Sequence, residues 1–83
     1  MKIGDKVKLL HNGGPDLMKG DRVVITKRLL LGGWEIEGDG IDGYGKTLGS
    51  KGHHARVSHG MIGKLTLLDV IHDVVYKKLY NNL

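Results

Sequence analysis

The chain contains no cysteine and no phenylalanine, with one proline and one tryptophan among its 83 residues. Without cysteine there are no disulfides and no thiolate metal site, so packing alone must hold the fold, an arrangement suited to a reducing cytoplasm. Apolar runs are short as well. The longest, such as Leu29-Leu30-Leu31, are three residues, far below the ~20 that cross a bilayer. The first residues lead into a polar, charged segment rather than a leader peptide. A single cytoplasmic domain with no membrane partner is expected from these absences. Its length lies near the lower limit of what one apolar core can stabilise.

What is present is glycine, 14 in all, and an excess of positive charge, +4 at neutral pH with histidine uncharged. The charge is segregated. Glu35, Glu37, Asp39 and Asp42 stand together, whereas no acid occurs from Gly43 to Leu68, a span that holds Lys46, Lys51, Arg56, Lys64 and three histidines. Gathered charge makes a field that scattered charge does not, and its sign favours an acidic partner.

The stretch from Gly4 to Lys27 repeats one local grammar. Gly4-Asp5 and Gly20-Asp21 each precede a run with interleaved charge: Lys6-Val7-Lys8-Leu9 and Arg22-Val23-Val24-Ile25-Thr26-Lys27. Glycine and aspartate supply the backbone freedom and local hydrogen bonds of tight turns. A period of two then directs Val7 and Leu9 to one face and Lys6 and Lys8 to the other. Two short strands with basic outer faces result, joined by a turn-rich loop from His11 to Met18.

Gly4-Asp5-x-Val7-x-Leu9, a glycine-bearing loop, and Lys19-Gly20 followed by Val24 and Ile25 together resemble the KOW motif of SH3-like small barrels. The resemblance covers about a third of the chain and is similar to phage or bacterial nucleic-acid-binding proteins of that type. It implies an SH3-like barrel that binds nucleic acid or docks on transcription or nucleoid machinery.

The remaining pattern predicts a mainly β protein: a small barrel of about five strands over residues 1–66 and a C-terminal α-helix over 67–81. A second strand is expected at Arg22–Leu30, then a two-glycine hairpin turn at Gly32-Gly33. Trp34–Glu37 alternates apolar and acidic, placing Trp34 and Ile36 inward, and Trp34 is read as a core anchor. Residues 38–52 read as a long glycine loop. His53–Val57 alternates again, with Ala55 and Val57 inward and His54 and Arg56 outward. Gly60–Gly63 reads as a turn before a closing strand at Lys64–Thr66. Thr66-Leu67-Leu68-Asp69 has capping-box spacing, with Leu65 and Val70 placed as a hydrophobic staple. Leu67, Leu68, Ile71, Val74, Val75 and Leu79 form a wide apolar helix face, and Asp69, Asp73 and Lys77 form a narrow polar stripe. That face is expected to bury itself on the barrel, with self-association or partner docking as the alternatives.

Motifs for chemistry are few. Gly40–Thr47 satisfies the phosphate-loop pattern G-x-x-x-x-G-K-[ST], but glycines on both sides argue against the helix that must follow it, and Asp42 would repel phosphate. Gly38-x-Gly40-x-x-Gly43 matches a dinucleotide fingerprint without a βαβ unit around it. His53, His54 and His59 lack the ligand number and spacing of a metal site. Ser58-His59 has no acid partner for a nucleophile. No catalytic residue, cofactor or metal is therefore expected, and the chain reads as non-enzymatic. The expected nucleic-acid contacts are Lys6, Lys8, Arg22, Lys27, Arg28, Tyr44, Lys46, Lys51, His54 and Arg56, with DNA preferred over RNA as the partner. The alternative is a protein–protein interaction module that uses the barrel groove or the helix, through which oligomers are also possible.

Overall fold

In the computed structural model, which describes residues 1–40 and 51–81, the chain is mainly β, with five antiparallel strands in one sheet and a single C-terminal helix. The strands are β1 (Lys6–Leu9), β2 (Arg22–Arg28), β3 (Trp34–Gly38), β4 (His54–Val57) and β5 (Ile62–Lys64), followed by α1 (Leu67–Asn81). Their order across the sheet is β4-β3-β2-β1-β5, so the first and last strands lie side by side. The order and the short 3-10 turn at His59–Met61 before β5 are compatible with an SH3-like barrel.

The two Gly-Asp turns are near copies. Gly4 and Gly20 have φ of 92° and 93°, a left-handed conformation that costs glycine nothing. In each, the carboxylate accepts a backbone N–H three residues back: Lys2 to Asp5 and Met18 to Asp21, both at 2.9 Å. Each turn also caps the far end of the other strand. Gly4 N–H donates to the Ile25 carbonyl and Ile25 N–H to that of Asp5, while Gly20 N–H donates to Leu9 and Leu9 N–H to Asp21. Two equivalent turns thus fix both ends of the β1–β2 ladder, in which Lys6, Val7 and Lys8 face Val24, Val23 and Arg22.

All five strands contribute to one apolar cluster. Val7, Leu9, Val23, Ile25, Trp34, Ile36, Val57 and Ile62 are buried in it, with Leu17 from the β1–β2 loop, and Ala55 and Met61 pack against it. Residues from both edge strands share this cluster, so the sheet curls around a single core. Trp34 is buried as expected, and its indole N–H lies 3.2 Å from His59 Nδ1. Gly32 and Gly33 make the β2–β3 turn at φ near +90°. A register shift between Ile25 and Lys27 marks a bulge, where the Thr26 hydroxyl donates to the Glu35 carbonyl at 3.1 Å.

Four boundaries differ from expectation. β3 runs on to Gly38, the expected start of the glycine loop, because Gly38 pairs with Val23. β2 ends at Arg28 because the Leu29 N–H and carbonyl are used by the glycine turn. β4 begins at His54 rather than His53. The closing strand is Ile62–Lys64 rather than Lys64–Thr66, because Ile62 must enter the core opposite Leu9. Gly63 is a ladder residue, not the end of a turn. Opposite Lys8, it leaves room for Leu10, whose Cδ2 would lie 3.1 Å from an added Cβ. The loop expected at 38–52 falls partly on residues 41–50, outside the described residues, and so does most of the phosphate-loop match.

Candidate interaction surface

The outer face of the β1–β2 ladder sets the position of α1. Lys8 and Arg22 are register partners there, side by side and pointing away from the core. The helix that crosses them carries Asp69, Asp73 and Tyr76 on one stripe, at spacings i, i+4 and i+7. Lys8 Nζ lies 2.8 Å from Asp69 Oδ2. Arg22 Nε donates to both carboxylate oxygens of Asp73 at 3.0 Å, Nη2 reaches Asp69 Oδ1 at 3.4 Å, and Nη1 donates to the Gly20 carbonyl at 2.6 Å. Arg22, Asp73 and Tyr76 are all buried.

The N-terminus of α1 is closed by the reciprocal bonds that its sequence predicts. Thr66 N–H donates to Asp69 Oδ2 at 2.8 Å, and Asp69 N–H donates to Thr66 Oγ1 at 3.2 Å. Such a cap contributes about 1 kcal/mol. Asp69 therefore serves both the cap and the dock. The Lys8 hydrogen bond, followed by that from the Thr66 backbone, holds its carboxyl well below the usual carboxylate range. Burial opposes this, while the Thr66 side chain and the Arg22 charge reinforce it.

The consequence reverses one expectation. The helix does not bury its apolar face on the sheet. Leu67 and Leu68 are 76% and 78% exposed, Leu79 is 61% exposed, and Val70, Ile71, Val74 and Val75 are about half exposed. Hydrophobic periodicity identifies a face without identifying what covers it. Here the sheet's inner face is already filled, and its outer face at β1–β2 offers cations, which the helix meets with its carboxylates. Leu68 also lines an open groove of about 440 Å³ between α1 and the β1–β2 turns, together with Lys8, Leu10, Lys19, Arg22 and His72.

The structure disperses the residues expected to contact nucleic acid. Lys8 and Arg22 are taken up by α1, and Lys6 pairs with Asp39 at 2.9 Å. Lys27 and Arg56 flank Glu35 across the β2–β3–β4 ladder, and His54 lies opposite Glu37 at 3.6 Å, so cations and carboxylates are interleaved on this wall. Arg28 stands over the Trp34 ring at 5.9 Å. Lys27, Arg28, Lys51 and Arg56 are exposed and make no ion pair among the described residues. Tyr44 and Lys46 lie outside the described residues. The histidines also part company: His53 lies 3.5 Å from Asp16, His54 faces Glu37 and His59 faces Trp34. The buried Arg22–Asp73 pair is not among the expected contacts, although both halves of it, a basic strand face and a helix stripe with Asp69 and Asp73, stand in the sequence.

The fold and this surface define a small five-stranded domain with an outward-facing amphipathic helix. No family model, curated protein or solved structure matches the chain. Among the described residues no helix is long and apolar enough to cross a membrane.

Proposed function

We propose that the chain is a protein–protein interaction module that presents α1 to another protein. The reading rests on the orientation of α1: its polar stripe is ion-paired to its own sheet and its apolar face is left open. Contiguous apolar patches on monomers usually reach about 300–600 Å². The seven apolar residues exposed on α1, each at 47–78% of its full area, amount to roughly 600–700 Å², at the level where a patch marks an interaction site. A protein suits this face better than a lipid surface, because helices that lie in a membrane carry a strongly cationic polar face, whereas α1 has two lysines, Lys77 and Lys78, near its C-terminal end, and its carboxylates Asp69 and Asp73 are engaged by the sheet.

The natural absence of cysteine allows a single spin label to be placed through Leu79→Cys. In dilute, monomeric protein the label should tumble freely. A label immobilised there would show the face covered by the chain's own sheet, and the reading would fail.

A second reading, contact with the nucleic-acid backbone, is favoured by the exposed cations Lys27, Arg28, Lys51 and Arg56, which make no ion pair among the described residues. Binding to duplex DNA should then weaken steeply with salt, with a log–log slope of about −0.9 for each phosphate neutralised. Absence of binding at low salt would exclude it. A KOW-type barrel is the fold relationship that this second reading draws on.

A further inference from the structure

Taking the interaction-module reading as its basis, we infer that the partner on α1 is a second copy of this chain, joined by a two-fold pairing of the two helices. Leu68, Ile71, Val75 and Leu79 follow one another at i, i+3, i+7 and i+11, forming a ridge along the exposed side, with Leu67 and Val74 beside it. A ridge of this kind is self-complementary, because ridges of one helix fit the grooves of an identical neighbour.

The area also fits. Each copy offers roughly 600–700 Å² of exposed apolar residues along α1, so a pairing that covered all of it would bury up to about 1,200–1,400 Å², at the lower end of specific, stable interfaces. A smaller face would leave the pair below that range. The composition supports the same occupant. The face carries leucine, isoleucine and valine with no carboxylate, because Asp69 and Asp73 are turned to the sheet; the charge that falls on it is Lys78, seven residues after Ile71 and close to the C-terminal end of the helix. A two-fold interface uses the same patch twice, and an aliphatic patch is compatible with itself in a way that a charged one is not. Leu68 lies where the ridge meets the 440 Å³ groove, so the same pairing would also cover the groove mouth.

The test is sedimentation of the unaltered chain from about 1 to 500 μM, a range that brackets micromolar association. The mass should rise from the monomer's 9.1 kDa to twice that value. The double variant Ile71→Asp, Val75→Asp should stay monomeric at the highest concentration with the Trp34 fluorescence unchanged. The dilution series needs no variant, so it holds even if the double variant fails to fold. An unaltered chain that remains monomeric throughout would overturn the proposal. A dimer that survives in the folded double variant would also do so, since pairing would lie elsewhere. A monomer that binds phosphatidylglycerol vesicles would assign the face to lipid instead. The Leu79 label separates the two levels: mobile in a persistent monomer, it removes only the second copy, whereas immobilised there, it removes the interaction face as well.

Discussion

The dock of α1 rests on a buried ion pair, and the cost of breaking it depends on which partner is removed. Arg22→Met leaves Asp73 buried with its guanidinium partner gone and His72 Nδ1 at 3.2 Å. Unpairing a buried charge costs about 3–5 kcal/mol. Asp73→Leu is milder, because Arg22 keeps Asp69 at 3.4 Å and the Gly20 carbonyl at 2.6 Å, so a cost of about 2 kcal/mol is expected from the hydrogen bonds lost. Together the two changes replace the pair by apolar side chains of similar size, which is often neutral or stabilising. The double variant should therefore be more stable than Arg22→Met alone, with a coupling of at least ~2 kcal/mol. A domain of this size has a total stability of roughly 4–12 kcal/mol, so the single changes are large perturbations. The assay is urea unfolding followed by Trp34 fluorescence for the sheet and by circular dichroism for the helix. A 3 kcal/mol loss should lower the midpoint by about 2–3 M, given slopes near 1–1.5 kcal/mol/M. In the single variants the helix signal should decay before the Trp34 signal. Strictly additive effects, or single losses below ~1 kcal/mol, would refute the claim that this pair holds the helix.

Two further predictions concern the turn and the cap. Gly33→Ala should destabilise by about 2 kcal/mol or more, because the added Cβ would lie 2.5 Å from the Val57 carbonyl oxygen at a φ of +90°, a conformation alanine adopts only with strain. Urea unfolding checks it, and a neutral result would contradict the turn geometry. Because the Asp69 carboxyl is depressed by Lys8 and Thr66, its contribution is fully present above its unfolded pKa of about 4 and is lost as pH falls from there toward its folded value. Helix stability measured between pH 6 and 2 should decline more steeply in the unaltered chain than in Asp69→Asn. Parallel curves would remove Asp69 from the dock.

Much of the fold was legible because its signals are local. The Gly-Asp turns, the period-two strands, the Gly32-Gly33 hairpin and the Thr66–Asp69 cap each depend on residues within a few positions of one another. The strand at Ile62–Lys64 is hidden from local reading because Gly60 and Gly63 have the pattern of a turn, whereas Gly63 serves a packing need set by Leu10, far away in sequence. The candidate surface was only half legible. Periodicity found the apolar face of α1, but which face docks depends on the charges that β1 and β2 present. The basic outer face of Lys8 and Arg22 was read as waiting for a polyanion. Asp69 and Asp73, more than forty residues further on, are the anions that meet it.

If two cations decide which way α1 turns, then replacing them should turn it over. With Lys8→Leu and Arg22→Leu the outer face at β1–β2 becomes apolar, and the carboxylates of Asp69 and Asp73 lose the partners that now draw them inward. Keeping the present orientation would press two unpaired acids against leucine, at several kcal/mol each if both stay charged. Rotating α1 by about half a turn puts both acids in water and brings Ile71 and Val75 onto the new leucines, where burial contributes about 25 cal/mol per Å² of apolar area. Both terms favour rotation. The double variant should be monomeric at concentrations where the unaltered chain pairs, and a label at Leu79→Cys should be immobilised in that monomer. A variant that still self-associates, with a freely tumbling label in its dilute form, would mean that something other than Lys8 and Arg22 sets the face α1 turns outward.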